Sequence, residues 1–113
     1  MSSKEEKFDQ YDQAYIDADD NYNDDITAAK GKPELIDRID ANYARISGMW
    51  SLAKRLKLDA NNDAIDAALA QAKSANKAVK DGRAAAAKIV TTIKKVDAVV
   101  GALATLTDEL RKV

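Results

Sequence analysis

Lys80-Asp81-Gly82-Arg83-Ala84-Ala85-Ala86-Ala87-Lys88 is the stretch on which the fold of this 113-residue chain turns. A glycine after a lysine-rich turn reads as a helix stop. Two features oppose that reading. Apolar steps of three and four pass through Gly82 without a slip of phase, and no Ser, Thr or Asn follows to cap a new helix. Either residues 63–111 form one helix of roughly 70 Å at 1.5 Å per residue, or the chain doubles back near Asp81-Gly82-Arg83. A single long helix would leave half its length uncovered and would need a second chain. A hairpin yields four helices of comparable length that cover one another, and it is the favoured arrangement.

Seams extend outward from this stretch in both directions. Ile65, Ala68, Ala72, Ala75 and Val79 precede it; Ala86, Ile89, Ile93, Val96, Val100, Leu103 and Leu110 follow, with Val90, Val99 and Leu106 widening the stripe. Upstream, Asn61 or Asn62 is placed to cap the third helix. Ile36, Ile39, Tyr43, Ile46, Trp50 and Ala53 mark a second helix, and Pro33 suits its first position because the missing N–H is unneeded there. Phe8, Tyr11, Tyr15, Ala18, Tyr22 and Ala29 mark the first, opened by a Ser3/Glu6 capping box and closed before Gly31-Lys32-Pro33. The expectation is an all-α antiparallel bundle, one domain over 1–113, with helices at about 4–30, 33–58, 62–81 and 83–112. The alternative has three helices, the last running over 63–111. All six aromatic residues lie in the first two helices, so Ala-rich seams should bring the last two close together. Phe8 and Trp50 are expected to matter most to the core, since truncating a core aromatic costs ~3–5 kcal/mol.

Composition narrows the chemistry. Hydrophobic residues make up 46% of the chain and charged ones 33%, too apolar for disorder and too charged for a membrane span. The start lacks the apolar run of a signal peptide, which suggests a cytoplasmic protein, with a secreted one whose signal has been removed as the alternative. Cys and His are absent, which removes thiol nucleophiles, disulfides, thiolate and imidazole ligands and the commonest general base. No glycine-rich phosphate loop occurs. Neither a catalytic residue nor a cofactor is therefore expected, and no metal site.

Charge is uneven. Residues 1–30 hold nine of the 19 acids but three of the 18 bases. The run Asp17-Ala18-Asp19-Asp20-Asn21-Tyr22-Asn23-Asp24-Asp25 echoes the alternating oxygens of a calcium loop, yet it lacks the turn glycine and the bidentate Glu at the twelfth position. It is expected to be a solvated face matched by Arg38, Arg45, Lys54 and Arg55. Asp17, Asp20 and Asp24 are the candidate partner-binding residues, for a small inhibitor or immunity-type role against a basic partner. Asp25 falls where the seam wants an apolar side chain. Either Ile26 takes its place in the core, or Asp25 salt-bridges inside the bundle or binds a cation. With Tyr15 and Tyr22 it forms a second candidate site, for a ligand or ion.

Lys73, Lys77 and Lys80 make a basic stripe, extended by Arg83, Lys88, Lys94 and Lys95, which is expected to be a solvated face that also faces the acidic first helix. No aromatic is interleaved with it, which disfavours nucleic acid. Membrane insertion by the amphipathic last helix is a third, less favoured reading. The leading expectation is a non-enzymatic interaction protein whose partner is another protein or a second copy of itself.

Overall fold

In a computed structural model describing residues 2–113, the chain forms four helices: α1 (Lys4–Ala28), α2 (Pro33–Ala53), α3 (Asp63–Ala84) and α4 (Ile89–Arg111). The favoured bundle is therefore the one formed, and the 63–111 helix is not. Local chemistry sets most boundaries. Ser3 Oγ accepts from Glu6 N at 3.1 Å while Glu6 Oε1 accepts from Ser3 N at 3.2 Å, closing the capping box. Gly31, at φ +85°, supplies the left-handed turn after α1. Pro33 opens α2, and Asn62 Oδ1 accepts from Ile65 N at the start of α3.

The break between α3 and α4 falls later than expected. Gly82 lies inside α3 and is buried; Lys95 of α4 passes across it, so a Cβ there would meet the ammonium nitrogen at 2.9 Å. The chain turns instead at Ala86, which takes φ 54°. Ala87 N donates to Gly82 O and Ala86 N to Arg83 O, both at 3.0 Å. This pair of bonds is the Schellman closure, with alanine in the left-handed position normally held by glycine. α2 also ends early, at Ala53 rather than near 58. Leu56 keeps the apolar spacing from Ala53 and Leu58 follows two residues on, but both belong to the connection, where Leu58 is buried and plugs the end of the core.

Consecutive helices are antiparallel. α1 packs on α2, α3 on α4 and α2 on α4, while α1 and α3 touch more sparsely. The residues 54–62 cross the end of the bundle diagonally, so α3 runs beside α1 in the same direction and α2 beside α4. α2 and α3 occupy opposite corners. The closest packing is between α3 and α4, whose seams carry Ala68, Ala72 and Ala102, as small side chains allow.

The core has two parts. The larger contains Tyr11, Ile46, Ile65, Leu103 and Leu106; the smaller, near the other end, contains Ala29, Leu35, Ile39 and Ile93. Tyr11 is the fully buried aromatic, at 0% exposure, whereas Phe8 and Trp50 are only partly buried. The expectation of those two as core anchors is thus corrected. Thr107 explains why Tyr11 is accommodated: its hydroxyl donates to Leu103 O at 2.8 Å, leaving its oxygen to accept from the Tyr11 hydroxyl at 2.8 Å. Burial without that partner would strand a phenol in an apolar setting.

Candidate functional site

A polar layer crosses the bundle near the junction of the two core parts. Its centre is Arg83, near the end of α3. The guanidinium makes two bonds to Asp17 and two to Asp25, all between 2.8 and 3.0 Å. Asp17 and Asp25 lie eight residues apart on α1, so one arginine spans about two helical turns. Burial opposes the charge on Arg83, but the hydrogen bonds it donates to Asp25 and Asp17, with their negative charges, outweigh it and raise its pKa. Asp17 shows the cost. Burial pushes its carboxyl above the usual range despite the hydrogen bond and charge of Arg83, and the neighbouring Asp25 and Asp20 push the same way. On the far side of the layer, Asp97 of α4 accepts from Asn42 at 2.8 Å and pairs with Arg38, both on α2. Between the two sets lies a crevice of about 20 Å³, lined by Asp25, Arg83, Asn42, Tyr22, Tyr43 and Thr92 among others. It has room for about one water molecule.

Along the α1–α2 seam the aromatic side chains form a ladder. Lys54 Nζ lies 3.8 Å from the ring centroid of Trp50. Trp50 stacks on Tyr15 at 4.3 Å and 9°, Tyr15 faces Tyr43 at 6.4 Å, and Tyr43 meets Tyr22 at 5.2 Å. Three polar tips donate to carboxylates along the same seam: Trp50 to Asp12 at 3.1 Å, Tyr43 to Asp19 at 2.7 Å, and Tyr22 to Asp40. The bond to Asp19 pushes the Tyr43 hydroxyl up to about 12, and Asp40 raises Tyr22.

Several expectations change against this geometry. Asp17 turns inward to Arg83, so it is not an outward contact residue. Asp20 and Asp24 stay exposed, and neither forms an ion pair among the described residues. The acids of α1 are met by Lys73 and Arg83 of the α3 basic stripe, as expected of that stripe, and not by the quartet Arg38, Arg45, Lys54 and Arg55. Arg38 pairs with Asp97 of α4, and Lys54 sits on Trp50; Arg45 and Arg55 form no ion pair among the described residues. Asp25 takes the salt-bridging alternative, while Ile26 packs beside it against the smaller core. Asp25, Tyr15 and Tyr22 do not converge on one point: Asp25 and Tyr22 reach the crevice, and Tyr15 stays in the ladder.

The alternating oxygens of 17–25 lie on continuous helix and point in different directions. Among the described residues no group of three or more carboxylates is placed to hold a metal ion. Among the described residues no helix is long and apolar enough to cross a membrane, and the apolar face of α4 is buried in the core. Sequence reasoning missed Arg83 as the partner of Asp25, and Asp12, Asp19 and Asp40 as partners of the ladder. A usable signal existed for all three, since each falls three or four residues from an aromatic on the same helix. None of the family models, curated proteins or solved structures compared with this chain matches it.

Proposed function

We propose that this chain is a non-enzymatic interaction protein that binds a basic protein surface through the outer face of α1 and α2. The carrying observation is the ladder itself. Its rings are held by Asp12, Asp19 and Asp40, and a cation already lies against its Trp50 end. From Phe8 to Ala29 the chain contains no Lys or Arg, and Arg38 of α2 is turned to Asp97. Such a face offers both attractions that a lysine or arginine side chain meets: carboxylate charge and an aromatic surface. Exposed Asp20 and Asp24 extend the negative field along α1, which steers a basic partner during approach.

Trp50 is the chain's one tryptophan, so its emission reports on the ladder. Titration with oligo-arginine at low ionic strength is expected to shift that emission, oligo-glutamate is not, and added salt should weaken the response. Removing charge at Asp19 and Asp40 together, or at Asp20 and Asp24 together, should weaken it as well. Binding that is indifferent to salt, or strengthened by it, would defeat the proposal.

A further inference from the structure

Trp50 has one ring face to offer a partner. Tyr15 stacks parallel on the other, with centroids 4.3 Å apart and planes at 9°, which leaves no room for an atom between the rings. The ammonium of Lys54, 3.8 Å from the Trp50 centroid, therefore lies on the outer face. Lys54 is exposed and enters no ion pair among the described residues. Its side chain also borders a groove of about 410 Å³ between the start of α1 and the connection after α2. Phe8, Leu56 and Leu58 supply the apolar lining of that groove, and its charges are Glu5, Asp9 and Asp12 against Lys4 and Lys54. Asp12 joins the groove to the ladder. One of its oxygens accepts from Trp50 Nε1 at 3.1 Å, and the other has no partner among the described residues.

We propose that Lys54 is a gate, holding the place of an arginine of the partner whose large apolar neighbour seats in the groove beside it. This rests on the reading of α1 and α2 as a face for a basic protein, and it names the residue pair that the face selects. A cation–π site already filled by lysine gains nothing from a second lysine. Arginine displaces it, because a planar guanidinium is less strongly hydrated, stacks flat on the indole and forks to a carboxylate. Asp12, bonded to the edge of the same ring, has an oxygen free to receive that fork. Once Lys54 leaves, three carboxylates of the groove face the single charge of Lys4, so the exchange strengthens the attraction for the incoming cation. Lys54 lies just past the end of α2, and its flexible stem swings aside without disturbing the core. The groove and the bared face of Trp50 then form one continuous surface, cationic subsite and apolar subsite side by side.

Trp50 emission of the full chain, titrated at low ionic strength with alternating Arg-Leu, Lys-Leu and Arg-Gly octapeptides, tests this. Circular dichroism verifies that each variant folds. The Arg-Leu peptide is expected to bind the wild type about tenfold more tightly than either of the others. Lys54→Ala should tighten the arginine peptides roughly fivefold more than Lys57→Ala does, since Lys57 carries the same charge but lies outside the groove. Leu56→Ser should erase the advantage of leucine over glycine and keep that of arginine over lysine. Arginine peptides that bind Lys54→Ala no more tightly than Lys57→Ala overturn the inference and leave the interaction reading standing. So does a Lys-Leu or Arg-Gly peptide that matches Arg-Leu on the wild type. If no peptide binds any of these proteins, the interaction reading falls and takes this inference with it.

Discussion

Replacing Arg83 by Met keeps an unbranched apolar stem and removes the guanidinium with its charge and donors. In the wild type, four bonds of 2.8–3.0 Å join Arg83 to Asp17 and Asp25, with the guanidinium side chain 19% exposed and the carboxylates 25% and 15%. Breaking one side of a buried ion pair costs about 3–5 kcal/mol, because the other side is left charged and dry. Partial exposure screens this cluster, so a loss of about 2–4 kcal/mol is expected, a large share of the ~5–15 kcal/mol that holds a domain together. The loss should depend on pH in a defined direction. Without Arg83, burial and the charges of Asp25 and Asp20 push the Asp17 carboxyl up unopposed. A carboxyl whose folded pKa lies above its unfolded value favours the fold below the unfolded pKa and loses that advantage as pH rises through the folded one. The deficit of the variant relative to wild type should therefore shrink as the solution is acidified from about pH 7 toward the carboxylate range. Urea unfolding followed by circular dichroism, run on both proteins at each pH, measures it. A deficit under about 1 kcal/mol, within the worth of an exposed pair, or one that does not shrink in acid, would refute the reasoning.

Ala86→Gly should stabilise the protein by up to about 1 kcal/mol, since glycine enters the left-handed region without the Cβ penalty; calorimetry would show a higher melting temperature. Tyr11→Ala should cost ~3–5 kcal/mol and exceed Phe8→Ala, because Tyr11 is the ring that is wholly buried; denaturant midpoints compare them directly. In an alkaline absorbance titration one tyrosine should ionise only near the 12 of Tyr43, and Asp19→Asn should bring it down. That raised hydroxyl favours the fold below the ordinary tyrosine pKa of about 10 and ceases to as pH climbs through the folded value, so stability should fall across that window.

Much of the architecture was legible because it is local. Ser3 with Glu6, Pro33 and Asn62 each act within one helical turn, and the seams need only periodicity. The two misplaced boundaries have specific causes. Alanine fills the left-handed slot at 86, so the glycine that normally marks a helix end is missing there, and the glycine that is present, Gly82, lies under Lys95 inside α3. Leu56 keeps the spacing of α2 but serves the connection, and periodicity cannot tell a further turn of helix from a connection whose first apolar residue falls in step. Asp25 stood out as an acid in an apolar seam. Its partner did not, because Arg83 is 58 residues away, and a stripe expected to face the acids of α1 does not by itself match one cation to one acid. Asp17 shares Arg83 through the same distant pairing, which is why its inward turn was invisible from α1 alone.

The diagonal course of residues 54–62 has a kinetic consequence. Residues 29–32 and 85–88 close the two hairpins through four residues each, and loops that short close in well under a microsecond. Docking one hairpin on the other is then the slow event, since contacts such as Arg83 with Asp17, 66 residues apart, form only at that stage. The order of neighbours is decided there too. Nine residues at up to roughly 3.3–3.6 Å each reach across the end of the bundle, whereas a tight turn would deliver α3 to the side of α2 with the same seams still available. Connectivity thus selects which of two arrangements a single hydrophobic pattern adopts, and Arg83 is the fastener that closes only when the selected one has formed.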